Sequence, residues 1–158
     1  MSSRAPRPGL PKHLEHLSPV LAAARLARSR AYAPYSGYRV GAAILTKSGG
    51  VYAGCNVENA TYGATLCAER SAVSAMIAAG DSNPVSAIVL TGGPKPAPPC
   101  GICRQVLAEF CRELHLLLIA EDDASEIVAR SWARLSVLLP HAFRLASSAK
   151  PRASGRTR

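Results

Sequence analysis

The sequence predicts an α/β protein in which a mixed five-stranded sheet is covered by helices on both faces. Three observations support this fold class. Segments with helical and strand patterns follow one another in the order α-β-β-α-β-α-β-β-α, which is typical of helices packed on a sheet. The stretches 85–91 and 114–120 are almost continuously apolar, as expected for strands buried on both faces. The 158 residues contain no internal repeat and are most simply one domain.

A helix and a hairpin precede these buried strands. Ser18 is a suitable N-cap and Pro19 a suitable first helical residue, so the sequence predicts a helix that starts here and that Pro34 ends. Two strands, 40–46 and 51–57, follow it. Because a turn with paired glycines joins them, they are predicted to form a hairpin.

The second half of the chain alternates helices and strands. The predicted elements are a helix over about 66–79 ended by Gly80, a strand over 85–91, a helix over about 100–113, a strand over 114–120, a weakly indicated strand over 126–130, and a short helix over 132–139 ended by Pro140. A turn-rich stretch with several prolines leads into the helix that starts near 100.

The net charge of +9 comes mainly from the two ends of the chain. Residues 1–12 hold three basic side chains and residues 144–158 hold five, with no acid in either, so 11 basic and 10 acidic residues remain between them. A body with nearly balanced charge lacks the basic face of a nucleic-acid-binding protein, so we expect no specific nucleic-acid partner. We predict weakly ordered or disordered basic ends at 1–17 and 144–158, and one folded domain over 18–143.

No segment of the sequence predicts a membrane partner. The first residues carry charge and proline but no apolar run of signal-peptide length, and no stretch approaches the roughly 18 apolar residues of a membrane span. We therefore expect a soluble, cytoplasmic protein. Reduced cysteines fit that compartment better than disulfides do.

Three cysteines and one glutamate have the spacing of a catalytic zinc site. Cys67 and Glu69 form a Cys-x-Glu segment, and Cys100 and Cys103 form a Cys-x-x-Cys segment directly after Pro99. All three cysteines fall at predicted helix N-termini, where the helix dipole favours thiolates. Three protein ligands leave one position on Zn²⁺ for water, whose pKa the metal lowers towards neutrality. Glu69 is then a candidate proton shuttle beside the metal.

The cysteines are also compatible with other kinds of site. A structural zinc site normally needs four protein ligands, and the remaining thiols are Cys55 and Cys111. Cys111 lies eight residues beyond Cys103 on the same predicted helix, roughly 12 Å along its axis, so it cannot easily complete the site. Spacing does not exclude Cys55, but a structural site has no use for Glu69. A Cys-x-x-Cys pair alone would also be compatible with a redox dithiol.

Six ordered segments resemble the small homotetrameric cytidine deaminases over roughly residues 18–143. They are APYSGY at 33–38, VGAA at 40–43, GCNVENA at 54–60, CAER at 67–70, PCGICRQV at 99–106 and LLPHAF at 138–143. The resemblance implies the cytidine-deaminase-like three-layer α/β/α sandwich. It further implies zinc-dependent hydrolysis of free cytidine and deoxycytidine to uridine and deoxyuridine with release of ammonia, a step of pyrimidine salvage, by a homotetramer with shared active sites.

The resemblance also implies roles around the metal. One zinc ion per chain is held by Cys67, Cys100 and Cys103, and Glu69 is the catalytic carboxylate that moves protons. Arg70 matches an arginine that hydrogen-bonds the cysteine ligands. Because three thiolates and Zn²⁺ sum to a charge of about −1, a neighbouring cation offsets the excess.

For the substrate, the resemblance implies that Asn56 and Glu58 bind the ribose 3′-hydroxyl and that Ala68 offers backbone groups to the pyrimidine. Asn56 and Glu58, two residues apart at a strand end, are predicted to point to the same side. Tyr38 occupies a position at which the family commonly has a phenylalanine that stacks on the ring. Tyr62 matches a substrate-binding position. Tyr62 and Phe143 both match positions that contribute across subunit contacts, and the resemblance implies that Phe143 reaches a neighbour's active site.

Three other functions share some of these features. A deaminase of another aminonucleoside would use the same zinc chemistry, a nucleic-acid deaminase or RNA-binding module would use the basic ends, and a non-catalytic zinc protein would need only the cysteines. The segment Asn56-Val57-Glu58-Asn59 favours ordinary nucleosides. The preference between cytidine and deoxycytidine and the role of the basic C-terminal segment are not indicated by any motif.

Overall fold

A computed structural model describes residues 16–145. Its elements are α1 (Ser18–Ser29), β1 (Gly41–Thr46), β2 (Val51–Cys55), α2 (Ala68–Ala78), β3 (Pro84–Gly92), α3 (Gly101–Phe110), β4 (His115–Glu121), β5 (Ile127–Arg134) and α4 (Leu135–Leu138), with a 3₁₀ turn at Tyr62–Ala64. The predicted basic ends lie almost entirely outside the described residues. Within 16–145, no helix combines the length and apolar character needed to cross a membrane.

The five strands form one mixed sheet in the order β2-β1-β3-β4-β5. Strands β3 and β4 are parallel, and the other neighbouring pairs are antiparallel. Parallel neighbours need a crossover connection, and α3 provides it between β3 and β4. This arrangement confirms the predicted mixed five-stranded sheet.

Helices cover both faces of the sheet, which confirms the three-layer architecture. One face packs against α1, where Leu21 and Ala24 of the helix meet a cluster that includes Ile88 and Ile119. The opposite face packs against α2, α3 and α4, where Met76 and Leu107 belong to a second cluster. The strand residues alternate between the two clusters because successive side chains on a strand point to opposite faces.

Two glycines allow helices to lie unusually close to the sheet. A Cβ atom on Gly41 would lie 2.1 Å from the carbonyl oxygen of Ala24 in α1. A Cβ atom on Gly54 would lie 2.3 Å from the backbone nitrogen of Ala72 in α2. The contact at Gly54 therefore sets the distance between α2 and the sheet. It also sets the position of the residues at the start of α2.

A buried ion pair joins α1 to the C-terminal end of β4. The Glu121 side chain is 1 % exposed, and its Oε1 lies 2.7 Å from Nη2 of Arg25. Arg25 Nε also donates a hydrogen bond to Oε1 at 2.7 Å, and Arg28 Nη1 lies 3.6 Å from Oε2. The buried carboxylate is thereby compensated by two guanidinium groups of one helix.

Several predicted boundaries are wrong at the start of the fold. The N-cap of α1 is Leu17, with Ser18 as the first helical residue, and the helix ends at Ser29 well before Pro34. Strand β2 ends at Cys55, so Asn56 and Glu58 lie beyond it and not on it as predicted. The backbone after β2 turns to pair with other segments, because Val57 forms bridges with Tyr32 and with Leu66.

The end of the fold also differs from the prediction. Strand β5 runs over Ile127–Arg134, four residues beyond the predicted strand, and α4 spans only Leu135–Leu138. Trp132, predicted to start the last helix, is paired with Leu117 of β4. Long-range pairing with a buried strand outweighs the local pattern here, since strand formation depends strongly on tertiary context.

Candidate metal centre and active site

Two helix N-termini bring three cysteine sulfurs together. Cys67 is the N-cap of α2, Cys100 is the N-cap of α3, and Cys103 lies in the first turn of α3. Their Sγ atoms all lie within 4.8 Å of one another. The Cys67 and Cys100 sulfurs are 3.8 Å apart, and those of Cys100 and Cys103 are 3.4 Å apart. Each helix presents its free N–H groups and positive dipole end to this cluster, which favours thiolates.

The geometry of the cluster fits zinc. Sulfur ligands at about 2.3 Å in a tetrahedron would be about 3.8 Å apart, close to the distances observed. Burial raises the pKa of the Cys103 thiol well above its ordinary value, and a nearby cation would oppose that rise. Among residues 16–145, neither Cys55 nor Cys111 belongs to the cluster. Cys55 instead points to the carbonyl oxygen of Arg30, and Cys111 is the C-cap of α3. The donor set is therefore three thiols, which leaves one tetrahedral position free.

Glu69 is a buried carboxyl group beside this cluster. It is the second residue of α2 and is 7 % exposed. Desolvation raises the pKa of the Glu69 carboxyl, an effect that hydrogen bonding to its own backbone and to Cys103 partly opposes. A carboxyl group with a raised pKa is suited to exchange protons near neutral pH.

Glu69 and two of the cysteines line one cleft. The cleft has a volume of about 200 Å³ and is lined by twelve residues, which are Tyr38, Val40, Asn56, Thr65, Cys67, Ala68, Glu69, Val89, Thr91, Ala97, Pro98 and Cys100. Its walls are mainly apolar, with few polar groups. This combination is typical of a small-molecule site.

Arg70 lies against the sulfur cluster. Its Nη2 donates to the carbonyl oxygen of Thr65 at 2.6 Å and lies 3.8 Å from the Cys67 sulfur. The hydrogen bond to Cys67 raises the pKa of the guanidinium. Its Nε is buried without a hydrogen-bond partner among the described residues. A cation thus borders the sulfur cluster and is not solvated as a surface arginine would be.

Asn56 lines the cleft and hydrogen-bonds the backbone of two other residues that line it. Its Oδ1 accepts a hydrogen bond from the Val40 backbone at 2.8 Å, and its Nδ2 donates to the Tyr38 carbonyl at 2.9 Å. The amide still has a second N–H and a second lone pair. Tyr38 itself is 45 % exposed, so its ring borders both the cleft and solvent.

Glu58 lies in a shallower depression next to the cleft. The depression is lined by Tyr35, Ser36, Glu58, Asn59, Tyr62 and Thr65, and it shares Thr65 with the cleft. Glu58 accepts hydrogen bonds from the Ser36 hydroxyl and from the backbone N–H groups of Tyr35 and Ser36. These donors, the Ser36 hydroxyl first, lower the pKa of Glu58. Asn56 and Glu58 therefore face two adjacent spaces and not a single one.

Tyr62 and Phe143 do not line the cleft. Tyr62 is 79 % exposed, and its ring meets that of Tyr35 edge-on with centroids 6.5 Å apart. Phe143 is 67 % exposed, and its backbone is held by the side-chain amide of Gln105. Sequence reasoning missed this use of Gln105, and it also missed Ser36 as the partner of Glu58. No local pattern indicates either contact, because the partners are 38 and 22 residues apart.

Comparison with known proteins places this site in a family. The model for the cytidine and deoxycytidylate deaminase zinc-binding region matches residues 14–117, which include all three cysteines and Glu69. The chain belongs to this deaminase family. A cytidine deaminase of Halalkalibacterium halodurans is 44 % identical over 119 residues, covering 74 % of this chain and 86 % of that protein. One of Sporosarcina psychrophila is 39 % identical over 127 residues, covering 78 % and 88 %.

Solved structures of the deaminase family share the fold. The crystal structure of a cytidine deaminase from Burkholderia pseudomallei matches with a TM-score of 0.70 and 38 % sequence identity. The match covers 85 % of this chain and all of the Burkholderia chain. A cytidine deaminase from Mycobacterium tuberculosis gives a TM-score of 0.63 with 37 % identity, covering 80 % and 95 %. These comparisons confirm the family resemblance and the fold class that the sequence predicts. Phe143 lies outside the segment that the family model matches.

Proposed function

We propose that this protein hydrolyses free cytidine and deoxycytidine to uridine and deoxyuridine with release of ammonia, as a step of pyrimidine salvage. The observation that carries the proposal is the buried Glu69, which lines the same apolar cleft as Cys67 and Cys100. Membership of the cytidine and deoxycytidylate deaminase family supports the reaction class. The cleft, about 200 Å³ in volume, has room for one small ring.

Cys67, Cys100 and Cys103 would hold one zinc ion per chain. When bound, the ion would acidify a water molecule and so supply the nucleophile at neutral pH. Two of these ligands, Cys67 and Cys100, line the same cleft as Glu69. Arg70, which lies 3.8 Å from the Cys67 sulfur, would offset the excess negative charge of three thiolates.

Glu69 would perform the proton transfers. It would take a proton from the attacking water and deliver it to N3 of the pyrimidine as the water oxygen bonds to C4. It would then deliver the second proton to the departing amino nitrogen, which leaves as ammonia. The partly closed cleft and the raised pKa of Glu69 support this role, because the same carboxyl must accept and donate within one turnover.

The remaining cleft residues would orient the nucleoside. The ring of Tyr38 would stack on the pyrimidine, and the backbone of Ala68, whose side chain is fully buried, would face it. The second N–H of Asn56 and the carboxylate of Glu58 would bind the ribose 3′-hydroxyl from adjacent spaces. Since Ser36 and Tyr35 already hold Glu58, its carboxylate is oriented before the sugar arrives.

We also infer a homotetramer with shared active sites. Tyr62, which lines the depression beside the cleft, and Phe143 are exposed aromatic side chains, as expected of groups that contact a neighbouring subunit and contribute to its substrate site. The thiol ligands favour a reducing compartment, and we therefore infer a cytoplasmic location. A nearly neutral body supports a free nucleoside substrate over a nucleic acid.

Two measurements on the purified full-length protein test this function. The loss of cytidine absorbance should show turnover, and metal analysis should show one zinc per chain. Cytosines in single-stranded DNA or RNA should not be deaminated. Equal turnover of cytidine and of single-stranded nucleic acid at matched concentration and low salt would contradict a nucleoside function. Active protein without zinc would contradict the metal assignment.

A further inference from the structure

Arg104 hydrogen-bonds the backbone on both sides of Cys100. The Arg104 backbone N–H donates to the carbonyl oxygen of Cys100 at 3.0 Å, as the helix requires. Its side-chain Nε donates to the carbonyl oxygen of Pro99 at 2.7 Å. These carbonyls belong to the two peptide groups that flank the Cys100 Cα atom. Arg104 therefore constrains both peptide planes, and the direction of the Cys100 side chain depends on them.

The loop before Cys100 has few other polar tethers. Four of the six residues at 94–99 are prolines, which have no backbone N–H to donate. Within the described residues, positions 94–98 make no backbone hydrogen bond to another backbone group. Cys100 is also exposed, whereas Cys103 is buried within α3. Of the three sulfurs, that of Cys100 thus has the least support from packing.

The other end of the Arg104 side chain reaches the C-terminal segment. Its Nη1 donates to the carbonyl oxygen of Leu138, the last residue of α4, at 3.1 Å. The side chain is partly buried, and the planar guanidinium bridges two carbonyls in a fixed geometry that a lysine amine cannot reproduce. Next to it, Gln105 donates to the Phe143 carbonyl at 2.7 Å and accepts from the Phe143 N–H at 3.2 Å. Two consecutive residues of α3 therefore anchor the segment 138–143.

We propose that Arg104 is a positioning residue of the metal centre, which keeps Cys100 directed at the other two sulfurs by joining the Pro99 carbonyl to the Leu138 carbonyl. This role rests on the proposed function, because it requires that the three cysteines bind zinc. Arg104 is not among the residues that line the cleft, so the role proposed for it is indirect. Its effect is on how firmly the third thiolate is held.

The test is the rate at which the full-length zinc protein loses its metal to excess EDTA. Arg104→Gln removes the bridging geometry, so zinc release should be at least about tenfold faster, the lower end of the usual effect of groups that orient metal ligands. Arg104→Lys should lie between this variant and the unmodified protein, because an amine can reach one of the two carbonyls. Arg112→Gln, an exposed arginine just beyond α3, makes the same charge change and should release zinc at the unmodified rate.

Cobalt substitution gives a second readout that a general loss of stability would not move. With Co²⁺ in place of zinc, the visible d–d bands of Arg104→Gln should shift or weaken, because they report the geometry of the sulfur ligands. If Arg104→Gln does not fold, the release rate of Arg104→Lys decides, and only a rate above that of the unmodified protein supports the role. Zinc release and cobalt bands equal to those of the unmodified protein would overturn it.

Failure of the inference is distinguishable from failure of the proposed function. If the unmodified protein binds no zinc, both fall together. If it binds zinc but Arg104→Gln and Arg112→Gln release it equally fast, only the role of Arg104 falls.

Discussion

Glu69 is a carboxyl group in a buried position that disfavours its ionised form. It is 7 % exposed at the start of α2, and desolvation raises its pKa while the helix N-terminus and Arg70 favour the charged form. The net effect is a pKa for Glu69 above its ordinary value, with burial as the main cause. A residue with a purely structural role would gain nothing from a buried ionisable carboxyl group. Substitution of Glu69 is therefore the most direct test of the proposed chemistry.

Glu69→Gln should retain fold and zinc while losing cytidine turnover by about 10²–10⁴-fold or more. The amide has nearly the same shape, but it cannot accept and return a proton, and loss of a general acid–base group has an effect of this size. Turnover followed by absorbance, with zinc content and circular dichroism measured on the same sample, checks the prediction. Near-normal turnover at full zinc occupancy would assign the proton transfers to another group.

Glu58 should determine how strongly the enzyme requires a 3′-hydroxyl. With the wild-type residue, 3′-deoxycytidine should be a much poorer substrate than cytidine, because it would leave a charged acceptor without its donor. Glu58→Gln should narrow the ratio of the two kcat/KM values, mainly by slowing cytidine. Glu113→Gln, which removes a carboxylate that accepts from Ser136 and does not line the cleft, is the matched control. An unchanged ratio in Glu58→Gln would remove Glu58 from sugar recognition.

At the scale of elements, α2 is placed by its close contact with β2. Gly54 has no side chain where the backbone of Ala72 passes, and the Ser71 hydroxyl donates to the Cys55 carbonyl at 2.8 Å. Strand and helix are therefore joined by both a steric and a polar contact. Because α2 begins with Cys67 and Glu69, any displacement of the helix moves a sulfur and the buried carboxyl together.

Gly54→Ala should destabilise the fold by about 1–3 kcal/mol, the usual cost of overpacking. The new Cβ atom would lie 2.3 Å from the Ala72 nitrogen, so the helix or the strand must shift. Thermal unfolding followed by circular dichroism measures the change. Gly63→Ala is the control, since its Cβ atom would meet nothing within 4 Å and should leave Tm nearly unchanged. Equal Tm values for the two variants would show that α2 and β2 separate without cost.

The sequence predicts the elements of the site better than its contacts. The Cys-x-Glu and Cys-x-x-Cys segments are local, and each starts a helix, so local chemistry was sufficient to identify them. The path of Glu58 was not predictable, because β2 ends at Cys55 through bridges that Val57 makes with distant residues. Trp132 likewise joins β5 because of its pairing with Leu117, which no local pattern indicates.

At the scale of the whole molecule, most of the excess positive charge lies outside the part of the chain that lines the cleft. The sequence outside residues 16–145 contains seven of the 19 basic residues and one of the ten acidic residues, whereas every residue that lines the cleft lies inside that range. An enzyme for a neutral nucleoside needs no long-range attraction for a polyanion. The basic ends are therefore expected to affect association with anions and not turnover.

Deleting residues 146–158 should leave cytidine turnover within a few-fold. The deletion removes Lys150 and three arginines but no residue of the cleft, the cysteine cluster or the Gln105 contact with Phe143.

The same deletion should weaken binding to single-stranded DNA or heparin, because each basic residue that neutralises an anionic group contributes to a salt-dependent affinity. Raising the salt concentration should reduce binding by the full-length protein towards the same level. Light scattering should give the proposed tetramer for the shortened and the full-length protein alike, since the exposed aromatic residues Tyr62 and Phe143 are retained. A folded, tetrameric and zinc-loaded protein without activity would instead show that the segment 146–158 completes the substrate site.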